Sequence, residues 1–349
     1  IFGGLKAVAV SDTINGIGLL FIGLLVPVLG LIALGKGSFL TGFEVLTTVD
    51  TEKLNAVGGE ADPIPFGTIF TGMIFANLFY WGTNQYVIQR TLGAKNLKEG
   101  QKGVILSGYY KLLVPFMMMI PGTIAYHLYD QSLTSIDLAY PTLVKDVLPV
   151  YLSGFFLAVL LGAVFSSFNS LLNSAATMFV LDIYEPLSKK SLTEDQLIRV
   201  AKVSSVIIAI FSFVVAPLLQ KAPNGLWEII RVFTGFYNIP IIAVVLVGLF
   251  FRKVPALGAK VAIVFHVIAY ACFRFVFDVD VHYVHMYAIL FALDALIMLA
   301  FGWLKPMAKS WQFIGSKDAV DMKPWKYAYP ASFILLAAIV WLYLTFSPL

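Results

Sequence analysis

The sequence predicts an all-α integral membrane protein, a bundle of about nine transmembrane helices, and three observations carry that prediction. Of 349 residues, 59% are hydrophobic and only 13% are charged, with a mean hydropathy of +0.86. A soluble domain carries about a quarter charged residues, so this chain lacks the charge to cover a water-facing surface. Apolar runs long enough to cross a bilayer, about 20 residues each, recur from one end of the chain to the other. Basic and acidic residues then alternate between successive loops, as orientation signals do.

The runs fall near 7–35, 67–91, 102–127, 147–182, 200–220, 225–251, 257–279, 282–304 and 329–347. The fourth is long enough to tilt or to project beyond the bilayer. Pro115, Pro121 and Pro240 lie inside runs; each removes a helix hydrogen bond and predicts a kink, tolerable where a neighbouring helix covers the freed carbonyl. Four segments are basic: Lys95, Lys98 and Lys102; Lys189, Lys190, Arg199 and Lys202; Arg252, Lys253 and Lys260; Lys305, Lys309, Lys317, Lys323 and Lys326. Three of the alternate loops are mainly acidic: Glu44, Asp50, Glu52, Glu60 and Asp62; Asp130, Asp137 and Asp146; Asp278 and Asp280. The fourth, near 221–224, holds only Lys221. This alternation places the start of the first span in the cytoplasm and makes 36–66 an extracellular loop.

The net charge of +4 is thus loop charge, and no basic stripe with interleaved aromatics points to nucleic acid. Cys272 is the only cysteine, which excludes an intrachain disulfide and a Cys-rich metal site. The chain opens Ile-Phe-Gly-Gly without an initiator Met, so a piece of a longer protein is expected.

Polar groups are costly inside a bilayer, so their arrangement carries the functional information. In the second run, Asn77, Tyr80, Trp81, Asn84 and Gln85 fall at i, i+3, i+4, i+7 and i+8, one face of a continuous helix. Amides bond hydroxyls and rings cover the apolar C–H face of a sugar, so this face suits a polyhydroxy ligand. Interhelical hydrogen bonding with an interfacial aromatic belt explains the same spacing equally well. The fourth run carries Ser166, Ser167, Ser170, Asn173, Ser174 and Thr177 after the small Gly162 and Ala163. Close helix packing accounts for most of these. However, Ser166 and Ser167, one turn after the Ala163 carbonyl, offer three hard oxygens to a monovalent cation such as Na+.

Single ionisable residues need separate weighing. Lys111 lies two to three turns into the third run, too deep for easy snorkelling, which favours a binding or pairing role. Arg231 lies about two turns inside the sixth run, where Glu228 is a ready partner. Asp12 is an ion-path residue or an interfacial cap, and Asp294, with no evident partner, reads as structural. His127, His266, His282 and His285 have no metal-ligand spacing. No nucleophile, phosphate loop or carboxylate pair presents itself, so enzymatic chemistry has no support.

The run FYWGTNQYVIQRTLGAKN (79–96) closely resembles the corresponding segment of the sodium/solute symporter family, in particular its sodium/glucose and galactose branch. GGLKAVAVSD (3–12), AVFSSFNSLLNSAATMFVLDIY (163–184), TGFYNIPIIAVVLVGLFFRK (234–253) and the Lys253…Gly258-Ala259 spacing agree with it, in order along nearly the whole chain. The resemblance implies a multi-pass protein of the cell membrane (the bacterial inner membrane) with fourteen helices around two inverted five-helix repeats, the LeuT-like fold. In that frame residues 1–349 form one transmembrane domain: the first span closes the first repeat, 67–251 is the complete second repeat, and 257–349 adds C-terminal helices. The N-terminal helices of the same protein would supply the rest of both sites.

Residue by residue, the resemblance implies that Asn77 and Lys111 hydrogen-bond a sugar, that Tyr80 stacks on it as an inner gate with Trp81 beside it, that Ala163, Ser166 and Ser167 hold sodium, and that Asp12 lies on the sodium release path. It tips the reading of the second-run face toward a binding site. One departure stands out: Arg231 occupies the place of a sugar-bonding glutamine. Its fixed charge and bidentate fork suit an anionic sugar, and a neutral sugar with Arg231 paired to Glu228 is the equal alternative. The implied activity is sodium-coupled sugar symport by alternating access across the lipid bilayer. A symporter of another small solute (amino acid, vitamin or anion) and a non-transporting sugar sensor are the rivals.

Overall fold

The computed structural model describes residues 4–59, 62, 64–129, 133, 135–188, 192–219, 226–277, 279–312 and 320–347, with backbone alone for 4–8 and 226–228. Glu60, Asp130, Lys189, Lys190, Lys221, Asp278, Lys317 and the side chain of Glu228 therefore lie outside the described residues, and with Glu228 lies the predicted partner of Arg231.

Among the described residues fourteen α-helices follow one another: α1 (Gly4–Leu34), α2 (Phe39–Thr48), α3 (Gly72–Gly82), α4 (Gln85–Leu92), α5 (Leu97–Lys111), α6 (Ile120–Tyr129), α7 (Ala139–Val147), α8 (Val150–Met178), α9 (Glu185–Ser188), α10 (Glu194–Leu219), α11 (Leu226–Phe250), α12 (Ala256–Phe275), α13 (Tyr283–Leu304) and α14 (Ala328–Thr345). Among the described residues eight stretches are long and apolar enough to cross a membrane, and they coincide with eight of the nine predicted runs. The ninth, 67–91, is helical but discontinuous. α3 ends at Gly82, Thr83 leaves helical geometry (φ −133°, ψ −16°), and Asn84 (φ −68°, ψ 112°) starts α4 afresh.

That break corrects the single five-residue face read from spacing. Asn77, Tyr80 and Trp81 share α3, whereas Asn84 and Gln85 begin the next helix on a new axis. The third span is also interrupted: α5 ends at Lys111 and a π-turn, Pro115–Met119, joins it to α6. Pro115 opens that turn, where its missing N–H matters least. A second π-turn, Phe179–Tyr184, follows α8. Pro240 lies within α11 as predicted, and Pro27 and Pro217 lie within α1 and α10.

Of three cores among the described residues, the smallest joins α11, α12 and α13 through Val247, Ala262 and Met298, and two are larger. One joins α1, α2, α6 and α7 through Ile22, Val26, Leu31, Leu46, Ile124 and Leu143, with α8 packed along α1. The other joins α3, α11, α12 and α13 through Ala76, Ile239, Tyr270, Val284, Tyr287 and Leu290. Thus α3 packs on α11 and α13, whereas α4 packs on α5 and α8. The two halves of the discontinuous helix thus have different neighbours.

Segments that the charge alternation assigns to one side meet in the fold. Ala56 N–H donates to the Phe346 carbonyl (2.7 Å), Leu97 N–H to the Asp321 carbonyl (3.1 Å), and Trp311 N–H to the Arg252 carbonyl (2.9 Å). Thr71 Oγ1 lies 2.9 Å from His285 Nδ1, joining the entry of α3 to the entry of α13.

Candidate functional site

The site grows from the break. Tyr80, in the last turns of α3, meets Tyr86, in the first turn of α4, hydroxyl to hydroxyl at 2.6 Å. Trp81 packs edge-on against Tyr80 (centroids 5.1 Å apart), and the Lys111 ammonium sits 4.8 Å from the Trp81 ring centroid. A cation over an indole face is attracted by the ring quadrupole. This answers the question of Lys111's depth: where its helix ends, an aromatic face receives it. An open cavity of about 800 Å³ brings together Tyr80, Trp81, Tyr86, Arg90, Lys111 and Ser332.

Asn77 and Arg231 stand outside that cavity. Asn77 is exposed on α3. The Arg231 Nη2 of α11 donates to Met73 Sδ at 3.0 Å, and Met73 is one turn before Asn77 on α3. The guanidinium therefore lies alongside the helix face that carries Asn77. At the start of α4, the Gln85 side-chain oxygen is buried with no hydrogen-bond partner among the described residues, an acceptor with capacity to spare.

Behind the break is a second polar cluster centred on Arg90, a residue to which sequence reasoning gave no role. Arg90 Nε donates to Asp12 Oδ2 (2.6 Å), Nη1 to the Tyr86 carbonyl (2.7 Å) and Nη2 to Ser170 Oγ (2.6 Å). Nη2 also pairs closely with the Asp12 carboxylate, whose other oxygen accepts from the Ser166 hydroxyl. Ser170 Oγ donates to the Ser166 carbonyl at 2.8 Å. The planar fork suits this work, since guanidinium presents several donors in fixed directions. Arg90 is the sole basic residue in the second apolar run, and that was the available signal for it.

α8 supplies the predicted cation ligands. Ala163, Ser166 and Ser167 lie at i, i+3 and i+4 of a continuous helix, hence on one face. Ser167 is exposed, Ala163 and Ser166 are half-buried, and Ser166 points its hydroxyl at Asp12. One turn earlier, Asn15 Nδ2 of α1 donates to the Gly162 carbonyl at 2.9 Å. A side chain at Gly162 would collide with the Asn15 amide. These oxygens fit a hard monovalent cation in kind, and three ligands from one helix leave room for others. Among the described residues no group of three or more His, Cys, Asp or Glu could hold a metal.

A chain of contacts results, with the Tyr86 side chain as its covalent link between hydroxyl and backbone carbonyl. It runs from Tyr80 to Tyr86, through the Tyr86 carbonyl to Arg90, then to Asp12 and Ser166. The predicted solute residue Tyr80 and the predicted cation residue Ser166 are its two ends.

Residues 1–265 match the model of the Sodium:solute symporter family. The chain is 48% identical over 345 residues to an uncharacterized symporter, YidK, of Escherichia coli (strain K12), covering 98% of this chain and 60% of that protein. It is 32% identical over 286 residues to the sodium/glucose cotransporter of Vibrio parahaemolyticus, covering 76% of this chain and 52% of that protein. Among solved structures, a Na+-coupled sialic acid symporter in a substrate-bound, outward-open state superposes with a TM-score of 0.73 at 22% identity. That match covers 89% of this chain and 64% of that chain, a likeness of fold. The chain thus spans 52% to 60% of the length of these two curated relatives.

Proposed function

Since the chain belongs to the sodium:solute symporter family, we propose that it forms the greater part of a sodium-coupled sugar symporter of a cell membrane, working by alternating access. The observation that carries this reading is the chain of contacts across the break in 67–91, which ties Tyr80 to Ser166. In this reading 36–66 is extracellular, 67–251 is one inverted repeat, and 257–349 adds helices beyond it. Asn77, Tyr80, Trp81 and Lys111 bind the sugar, and Ala163, Ser166 and Ser167 bind sodium. Asp12 receives the ion on its way to the cytoplasm.

The chemistry follows from the parts. Ring faces cover the apolar side of a sugar, while the Lys111 ammonium and the Asn77 amide bond its hydroxyls. Sodium on a lone pair of the Ser166 oxygen leaves the hydroxyl hydrogen on Asp12 and polarises that hydrogen bond. Ion binding therefore alters the Asp12 carboxylate that Arg90 holds, and Arg90 also holds the backbone carbonyl of Tyr86, whose hydroxyl meets Tyr80. One charge moved through 100 mV supplies about 2.3 kcal/mol, which supports roughly 50-fold accumulation at about 1.4 kcal/mol per tenfold.

Arg231 favours an anionic sugar. Its guanidinium lies along the Asn77 face of α3, with Nη2 on the Met73 thioether, and a bidentate cationic fork suits a carboxylate. One of the solved structures similar to the chain is that of a sialic acid symporter, and one curated relative is a sodium/glucose cotransporter.

Uptake of labelled sugars into proteoliposomes holding the full reading frame tests the whole. An inward sodium gradient is expected to drive accumulation, with sugar acids competing better than neutral hexoses, and Arg231→Gln to remove that preference. Sugar binding without sodium-driven flux would defeat the symport reading. Neutral hexoses competing where acids do not, or an unchanged preference in Arg231→Gln, would defeat the anionic one.

A further inference from the structure

α12 and α13 carry a polar cluster that the transport reading leaves unused. His266 and Asp294 are both 0% exposed, and His266 Nδ1 lies 2.7 Å from Asp294 Oδ2. The structure thereby corrects the reading of Asp294 as partnerless. On its other side, His266 Nε2–H donates to the Gly235 carbonyl of α11 at 3.2 Å.

The protons can be counted. A carbonyl only accepts, so Nε2 carries a hydrogen. The 2.7 Å contact then holds a second proton between Nδ1 and Oδ2, whichever atom bears it. Either way the pair is neutral as a whole, the condition under which two ionisable groups can be buried within a membrane bundle.

Two neighbours act on the same stretch of α11. The Tyr270 hydroxyl donates to the Val232 carbonyl (3.1 Å) and the Tyr287 hydroxyl to the Arg231 carbonyl (2.7 Å). All three contacts fall in the turn 231–235, just before Pro240, which lacks the N–H that would bond the Phe236 carbonyl. The turn bearing Arg231 is thus freed at one end by proline and gripped from outside by α12 and α13. Gly235 makes the grip possible, since a Cβ there would lie 2.7 Å from Tyr287 Oη and 2.8 Å from Tyr270 Oη.

We propose that His266 and Asp294 are positioning residues for solute binding, fixing the Gly235 turn of α11 and through it the Arg231 guanidinium beside α3. The proposal rests on the reading of Arg231 as a solute contact. Apolar side chains would pack α12 and α13 as well, because buried ion pairs add little to stability over isosteric hydrophobes. What they would not supply is a directional bond that sets the rotation of α11.

The test uses the same uptake assay. The double variant His266→Leu/Asp294→Leu leaves no buried charge unpaired, and it is expected to raise the KM for sugar about tenfold. Its Vmax per inserted transporter and half-saturating sodium should stay within about twofold. Asp294→Asn can donate its amide N–H to a neutral imidazole and keep Nε2–H on Gly235, so its KM should stay within about threefold of native. In an Arg231→Gln background the double variant should add no further rise.

A merely structural role would reduce inserted protein and leave KM unmoved, and that outcome overturns the proposal, as does Asp294→Asn matching the double variant. Should the double variant fail to insert, Gly235→Ala, which pushes both tyrosine hydroxyls off the turn, is expected to give the same rise in KM, and a native KM there overturns the proposal too. If Arg231→Gln itself leaves sugar KM unchanged, the solute reading of Arg231 fails by itself. Positioning is then decided by the labelling rate of Arg231→Cys in a Cys272→Ser background with a charged thiol reagent. Removing the pair should change that rate at least fivefold, and an unchanged rate overturns the proposal.

Discussion

The Arg90 cluster and the His266 cluster are built from the same kinds of group, a carboxylate, a nitrogen base and neighbouring hydroxyls, yet one is open and the other closed. The Asp12 and Arg90 side chains are 23% and 33% exposed, and they touch groups on α1, α4 and α8 that have other oxygens to offer. His266 and Asp294 are sealed from solvent and hold a single arrangement. A sealed neutral pair costs too much to break in every cycle, which suits a fixed reference point. An open cluster rich in hydroxyls can exchange partners at low cost, which suits an ion site. Placement agrees, because the open cluster adjoins the break between α3 and α4 and the closed one backs onto α11.

Removing one partner from each cluster should expose the difference. His266→Leu alone strands Asp294 in the core, and loss of a buried partner costs about 3–5 kcal/mol. Thermal melts in detergent should show a large fall, whereas the double leucine variant melts near the native protein; equal melts for the single and double variants would remove the distinction. Arg90→Ala should cost only about 1 kcal/mol of stability, as partly exposed pairs do. Its effect belongs in transport instead, as a rise of roughly tenfold in half-saturating sodium, about 1.4 kcal/mol. A native sodium dependence there would cut the chain of contacts at its centre.

Smaller effects sharpen the solute end. Tyr80→Phe removes the hydroxyl contact across the break, about 1 kcal/mol, and should raise sugar KM about fivefold while leaving the fold unchanged. Trp81→Leu removes the ring beneath Lys111, about 0.5–1 kcal/mol at an exposed site, and should raise KM about threefold. If Trp81→Leu exceeds Tyr80→Phe, stacking at Trp81 outweighs the bridge to Tyr86.

The fold was legible in the sequence wherever a property accumulates along the chain. Eight spans followed from apolar runs, and the like-side loops that meet in the fold had been grouped by charge. The break at Thr83 and Asn84 was not legible, because no proline marks it and the polar spacing continues through it as if the helix did. The π-turn at Phe179–Tyr184 is equally silent in composition. Ser166 and Asp12 were singled out by residue type and depth and given sharper roles by the family resemblance, but their direct contact is a tertiary fact. The His266–Asp294 pair bridges two helices 28 residues apart in sequence, so spacing rules tuned to one helix face pass over it. Arg90 lay inside a recognised motif, and its role emerges only once α1, α4 and α8 are seen together.

The central claim is that the face of α8 opposite the break holds the ion that drives transport. Ser167→Ala deletes one oxygen of that face and none of the hydrogen bonds of the Arg90 cluster. Measured as sugar uptake into proteoliposomes against external sodium, the variant should lose its sodium stimulation. Uptake that keeps the native half-saturating sodium concentration would contradict the account.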